Sequence, residues 1–268
     1  MLYIVATPIG NLEDITLRAL RILKEVDYIA AEDTRHTRKL LTHYDIKTRL
    51  VSFHEHSKED KRDWILGELK DGRDIALVSD AGTPLISDPG AVLVTEAMEL
   101  GLGVTSLPGA CAAITAVTLS GIGGPFCFFG FLSKKSSERR RQIDELKNST
   151  IPTVIYESPH ALSATLEALY EAMGGQRHIV VAKELTKLHE QVFSGTLEKA
   201  CQVFAENVKG EYVLVVDGCP VEAVQVSDSD IAATINAYLN AGKTKKDAAK
   251  AASDKLGISK NRAYRLTL

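Results

Sequence analysis

No stretch of this chain reaches the roughly 18 consecutive apolar residues that a membrane-spanning helix requires, so no such span is expected. Phosphate-cradling loops are missing too: no G-x-G-x-x-G follows the first strand-like segment, and no GxxxxGK[ST] occurs anywhere. A dinucleotide-binding fold or a P-loop NTPase would need one of these. There is no G-x-S-x-G elbow around Ser79 or Ser87, which leaves serine hydrolase chemistry without support. Cysteines are few and spread out, at Cys111, Cys127, Cys201 and Cys219. None lies two residues from another, so zinc knuckles and CxxC redox motifs are excluded, and the four are expected to behave as small buried hydrophobes. His54-x-His56 has no third ligand at a suitable spacing, and metal binding is not expected.

What remains is ordinary globular material. Hydrophobic residues make up 45% and charged residues 25% of 268 positions, enough for two α/β domains by size. Residues 2–6 are apolar, with no basic flank and no small-residue cleavage site after them. They are expected to form a strand and not a secretion signal, so a cytoplasmic protein is the simplest expectation. The net charge is −3, but the charge is unevenly placed. Lys243, Lys245, Lys246, Lys250, Lys255, Lys260, Arg262 and Arg265 face only Asp247 and Asp254 at the C-terminal end, the asymmetry of a local polyanion contact or of a solvated helical face.

Short β-branched runs alternate with amphipathic ones. Strands are expected over 2–6, 28–32, 50–54, 75–79 and 104–107, and helices over 15–26, 34–44, 58–70, 90–100 and 110–119. Such alternation implies parallel strands joined by right-handed crossovers. The helix over 110–119 is nearly all apolar or small, so it is expected to be buried on most sides. The glycines and proline at 120–125 form a linker candidate. A second alternating set follows, with strands over 126–131, 153–157, 178–184, 191–194 and 212–217 and helices over 137–148, 161–173 and 197–208. Three short helices, over 231–240, 245–256 and 259–265, end the chain, and the last two resemble a helix-turn-helix. With little core of its own, this piece is expected to lean on the main body or on a partner. The expected domains are 1–120, 126–220 and 229–268.

In parallel α/β sheets ligands sit at the carboxyl ends of the strands. The loops there, Thr7-Pro8-Ile9-Gly10-Asn11, Ser79 through Gly90, and Pro108-Gly109-Ala110-Cys111-Ala112, combine small residues that admit a flat ligand with prolines that stiffen the backbone.

Those loops, with Ala31-Glu32-Asp33-Thr34-Arg35 and Tyr156-Glu157-Ser158-Pro159-His160, resemble the tetrapyrrole methylase superfamily over residues 2 to about 217. Within it they are similar to the branch that methylates the 2′-hydroxyl of a decoding-centre cytidine in 16S ribosomal RNA, whose basic tail the last helices also resemble. Tetrapyrrole-modifying members usually carry Gly-Asp-Pro where this chain has Ala81-Gly82-Thr83, a departure that favours the RNA branch. The resemblance implies two α/β domains with S-adenosylmethionine in the cleft between them, a homodimer, and 16S rRNA within the small ribosomal subunit as partner. It places the cofactor against Pro8, Asp80, Ala81, Gly82, Leu85, Cys111 and Ala112, with Tyr156 or Glu157 and Leu185 from the second domain.

A ribose hydroxyl is a poor nucleophile and needs help to lose its proton. Candidates at strand ends are Glu32, Asp33, Arg35 and His36, then Lys183 and Glu184. Asp33 doubles as a natural N-cap for the helix at Thr34, and Arg35 could clamp a phosphate or pair with Glu32. Lys134-Lys135, Arg139-Arg140-Arg141 and the basic tail could hold RNA phosphates. Two rivals stay open. A large apolar cleft would suit a corrinoid or porphyrinoid substrate, where a shallow basic one would suit RNA; a silent RNA-binding module would use the tail alone and bind no cofactor.

Overall fold

A computed structural model describes the chain except for residues 54–58, 89, 207–208, 221–226, 257 and 268. The His54-x-His56 pair lies outside the described residues. The chain forms two compact units, Met1–Cys219 and Pro220–Leu268. Among the described residues no helix is long and apolar enough to cross a membrane.

The first unit holds two five-stranded sheets. In the first, β1 (Leu2–Val5), β2 (Tyr28–Ala31), β3 (Arg49–Ser52), β4 (Ile75–Val78) and β5 (Val104–Leu107) run parallel in the order β3-β2-β4-β1-β5. β4 is buried throughout, as a central strand covered on both faces must be. Its Ala76 and Val78 pack with α1 (Leu17–Glu25) and α2 (Thr34–His43), through Ile22, Leu23 and Leu41. Its Ile75 and Leu77 pack on the other face with α3 (Glu59–Lys70) and α4 (Ala91–Glu99), through Ile65, Leu69, Leu93 and Ala97.

α5 (Ala112–Ser120) ends at Gly121, whose left-handed φ of 73° closes the helix where the linker was expected. After it come β6 (Cys127–Phe131), α6 (Ser136–Asn148), β7 (Thr153–Glu157), α7 (Leu162–Met173), β8 (His178–Lys183), β9 (Gln191–Thr196), α8 (Leu197–Val203) and β10 (Tyr212–Val216). The second sheet, ordered β6-β7-β10-β8-β9, is mixed where alternation alone suggests parallel strands. The crossover through α7 leaves one strand's width between β7 and β8. β10 fills it antiparallel to both. The loop after β8 is too short for a crossover helix, so β9 folds back as a hairpin paired along all six residues.

α6, α7 and α8 cover one face of this sheet and α5 covers the other, through Ala113, Ala116 and Val117 against Val154, Val180, Ala182, Val213 and Val215. The expectation that α5 is buried on most sides is corrected here. It has only one sheet to lie on, so Ile114 and Leu119 on its outer face stay 53% and 45% exposed. The cysteines differ as well: Cys127, at the start of an edge strand, is exposed, and the other three are half-buried. α8 stops at Val203, short of the expected 208, where Phe204 turns its ring onto Phe193 and Tyr212.

The second unit packs α9 (Asp228–Asn240), α10 (Lys245–Leu256) and α11 (Lys260–Arg265) around Ile231, Ile235, Ala248, Ala252 and Ala263. It therefore carries a core of its own. Ser227 and Ser259 cap α9 and α11 by accepting from the Asp230 and Arg262 amides. The eight basic side chains from Lys243 onward are all exposed.

Candidate active site

β4, β1 and β5 are neighbours, so the three loops singled out above meet at their carboxyl ends. The chain leaves β1 towards α1 on one face and β4 towards α4 on the other. Adjacent strands whose connections diverge in this way open a crevice, the usual ligand position in such sheets. Thr7 and Gly82 bridge it with paired backbone bonds of 2.9 and 3.0 Å, and Gly82 takes a φ of +83° that a side chain would resist. The Thr83 hydroxyl donates to Ala110 O at 3.0 Å, tying the second loop to the third.

Loops of the second sheet close the other side. The Asn11 amide donates to Thr186 Oγ1 at 3.1 Å, and a Cβ on Gly10 would stand only 2.8 Å from the Leu185 carbonyl oxygen. α5 has no capping side chain at Cys111; instead the Tyr156 hydroxyl, reaching over from β7, accepts the Ala113 amide at 3.1 Å. Tyr156 is braced edge-on by Phe128 and Phe131 at 5.0 and 5.6 Å. Burial pushes its phenol well above the usual range, with Cys111 adding to the effect.

Between these surfaces lies a cavity of about 410 Å³. Of the expected cofactor residues, Ala81, Gly82, Cys111, Ala112, Tyr156, Glu157 and Leu185 line it. Pro8, Asp80 and Leu85 do not. Pro8 precedes the lining residue Ile9, and Asp80 turns its Oδ1 to the Asp33 amide at 3.0 Å. Leu85 packs into the core cluster of Leu77 and Leu93.

None of the expected proton-handling residues reaches the cavity wall. Asp33 caps α2 by accepting the Arg35 amide at 2.8 Å, and the same carboxylate holds the Arg35 guanidinium at 2.9 Å. That guanidinium pulls the Asp33 carboxyl down to about 2. Arg35 thus pairs with Asp33, where a phosphate or Glu32 was expected. Lys183 alternates onto the same face of β8 as Val181, towards the helices and away from the cleft. Glu184 is a loop anchor: its Oε1 accepts from Lys187 Nζ at 2.8 Å and from the Glu211 amide at 2.9 Å, and Lys187 holds its carboxyl below the usual range. Arg139, expected at RNA phosphates, turns inward and donates to Thr165 Oγ1 at 2.6 Å. Thr165 in turn donates to Glu157 Oε2, and the Ser158 amide donates to Oε1 at 2.8 Å. This chain of bonds fixes a buried carboxylate at the cavity wall.

Asp88 was missed, although it lay within the loop after β4. It lines the cavity, and burial, reinforced by Glu32 and then Asp80, raises its carboxyl to about 6 while the Ser79 hydroxyl opposes the rise. Composition gives no hint of it, since only the folded loop shows which of its carboxylates turns inward. With Glu157 and Glu211 it gives the wall three carboxylates, while no Lys, Arg or His is among the described lining residues. That wall is neither the basic surface expected for RNA nor a pyrophosphate site.

The family model for tetrapyrrole (corrin/porphyrin) methylases matches residues 1–201. The chain belongs to that family. Within this methylase family it belongs with proteins named ribosomal RNA small subunit methyltransferase I. One, from Halalkalibacterium halodurans, is 45% identical and spans 99% of this chain and 93% of its own length. Another, from Bacillus subtilis, is 44% identical over 98% of this chain and 92% of its own. The methylase fold is seen too in the uroporphyrin-III-C-methyltransferase of Thermus thermophilus, with a TM-score of 0.58 at 19% identity, covering 81% of this chain and 93% of that one.

Proposed function

We propose that this methyltransferase uses S-adenosylmethionine to methylate the 2′-hydroxyl of a cytidine in 16S rRNA within the small ribosomal subunit. The observation that carries the reading is the wall of the cavity: small-residue loops, three carboxylates of which Glu211 is paired with Lys187, and no cation among the described lining residues. Such a wall repels a pyrophosphate and attracts a cation. Its volume of about 410 Å³ suits one nucleoside-sized ligand. Gly82 lets the backbone approach that ligand, and Glu157 is held in place at the wall by Thr165 and the Ser158 amide. When bound, the cofactor supplies a methyl on a sulfonium, so the departing sulfur is neutral and needs no acid.

Residues 1–120 and 126–220 act as the two methyltransferase domains, with Ala81, Gly82, Cys111, Ala112, Tyr156, Glu157 and Leu185 holding the cofactor. Filled in this way, the cavity has little room for a macrocyclic acceptor, so the acceptor meets the methyl group at its mouth. The exposed lysines and arginines of residues 229–268 hold the RNA backbone. A cytoplasmic homodimer completes the reading, and a second copy would cover the apolar outer face of α5 at Ile114 and Leu119. The test is transfer of labelled methyl to small ribosomal subunits that lack the modification, followed by nuclease digestion and mass spectrometry. Labelled 2′-O-methylcytidine is expected. Label on a base, or none, would overturn the reading.

A further inference from the structure

With none of the expected proton acceptors on the cavity wall, the reaction proposed above lacks a group there to receive the hydroxyl proton. The wall offers few alternatives. Both oxygens of Glu157 already accept, from Thr165 and from the Ser158 amide. Glu211 Oε2 holds Lys187 Nζ at 2.9 Å. The Tyr156 hydroxyl accepts the Ala113 amide and resists ionisation.

Asp88 differs from all of these. It lies on the cavity wall, near the Ser79 hydroxyl. The loop that presents it is bent by two non-glycine residues in left-handed backbone conformations, Leu85 at φ 72° and Ser87 at φ 69°. Positions of this kind cost about 1–3 kcal/mol each and persist where the surroundings impose them, as they do at working sites. The loop also presses against the second sheet, where a Cβ on Gly130 would stand 3.0 Å from Ser87 Oγ. Asp88 is thereby held at the junction of the two sheets.

We propose that Asp88 accepts the proton of the acceptor hydroxyl during methyl transfer, an inference that rests on the methyltransferase reading above. The hydroxyl oxygen forms the new C–O bond to the methyl carbon while the C–S bond breaks and its electron pair stays on sulfur. The O–H proton passes to an Asp88 carboxylate oxygen and is later lost to water. The groups that act electrostatically on Asp88 are Glu32 and Asp80 from the first sheet, and Tyr156 faces it from the second. Burial, reinforced by these two carboxylates, keeps its proton affinity high enough for a base working near neutrality.

The experiment compares the wild-type chain with Asp88→Asn and Asp88→Glu. Single-turnover methylation of unmodified small ribosomal subunits is followed from pH 5 to 9, and S-adenosylmethionine binding by calorimetry. Carboxyl ¹³C titration of the ligand-free chain gives a readout independent of activity. The wild-type rate is expected to rise through a midpoint near 6, matching one aspartate resonance that vanishes in Asp88→Asn. At saturating cofactor Asp88→Asn should slow transfer by about 10²–10⁴-fold, more than any loss of cofactor affinity accounts for, and Asp88→Glu should restore part of the rate. A wild-type rate without that acidic limb overturns the proposal even if the variants fail to fold. So does an Asp88→Asn chain with an unchanged rate, or one in which only KM for the cofactor rises. A wild-type chain that methylates no RNA would instead remove the methyltransferase reading itself.

Discussion

Replacing Asp88 by Asn should make the protein more stable at neutral pH, and the size of the gain follows from its surroundings. In the unfolded chain this carboxyl titrates at 3.8; in the folded chain burial and its acidic neighbours raise it to about 6. Between those values the folded state holds a proton that the unfolded state has released, so stability falls as pH rises through that window. Below about 4 both states are protonated and the penalty vanishes; above about 6 it is complete. A shift of about two units corresponds to about 3 kcal/mol at most. Asp88 is only half-buried and water screens it, so about 1 kcal/mol is expected. For a unit of this size that is a rise in Tm of about 2–4 °C. Thermal melts of the wild type and Asp88→Asn at pH 4, 5, 6, 7 and 8 test it. The difference should grow with pH and level off above 6. A variant that is less stable at pH 7.5, or a gain that persists unchanged at pH 4, would refute the reasoning.

Three further outcomes are expected. Thr165→Val strips both Glu157 and Arg139 of a partner and should cost about 2–3 kcal/mol in urea unfolding, since hydrogen bonds to charged groups are the strong ones; a cost below about 0.5 kcal/mol would mean the chain of bonds is incidental. Gly10→Ala places a methyl 2.8 Å from the Leu185 carbonyl, so the cleft loops must spread. About 1–3 kcal/mol of strain and a roughly tenfold weaker cofactor Kd should appear in melts and calorimetry. Changing Lys243, Lys245 and Lys246 to Gln should weaken RNA binding and make its log–log salt slope shallower by roughly 2, read from filter binding over a salt series; an unchanged slope would remove these lysines from the RNA contact.

Much of the first sheet is legible in the sequence because parallel strands covered on both faces are short, apolar and bounded by Gly, Pro and Asp, as Ile75–Val78 shows. The mixed second sheet is less so. Nothing in the alternation of residues reveals that β10 slips between β7 and β8, since strand direction is a matter of tertiary pairing. Seven of the cofactor positions expected from resemblance line the cavity because backbone and small side chains leave little freedom in those loops. The proton-handling candidates did not, since a strand-end position does not fix where a long charged side chain points. Asp33 found Arg35, Glu184 found Lys187, and Lys183 fell on the far face of its strand. Arg139 looked like part of a surface charge run until Thr165 and Glu157 drew it inward.

The acidic cleft itself is tested most directly by calorimetry with three ligands on the full chain: S-adenosylmethionine, its neutral product S-adenosylhomocysteine, and NAD. A wall bearing Asp88, Glu157 and Glu211 without a described cation should bind one S-adenosylmethionine per chain and show no heat with NAD. It should also lose affinity for S-adenosylmethionine when salt is raised, more than it does for the uncharged-sulfur product. Saturable binding of NAD, with no binding of S-adenosylmethionine, would contradict it.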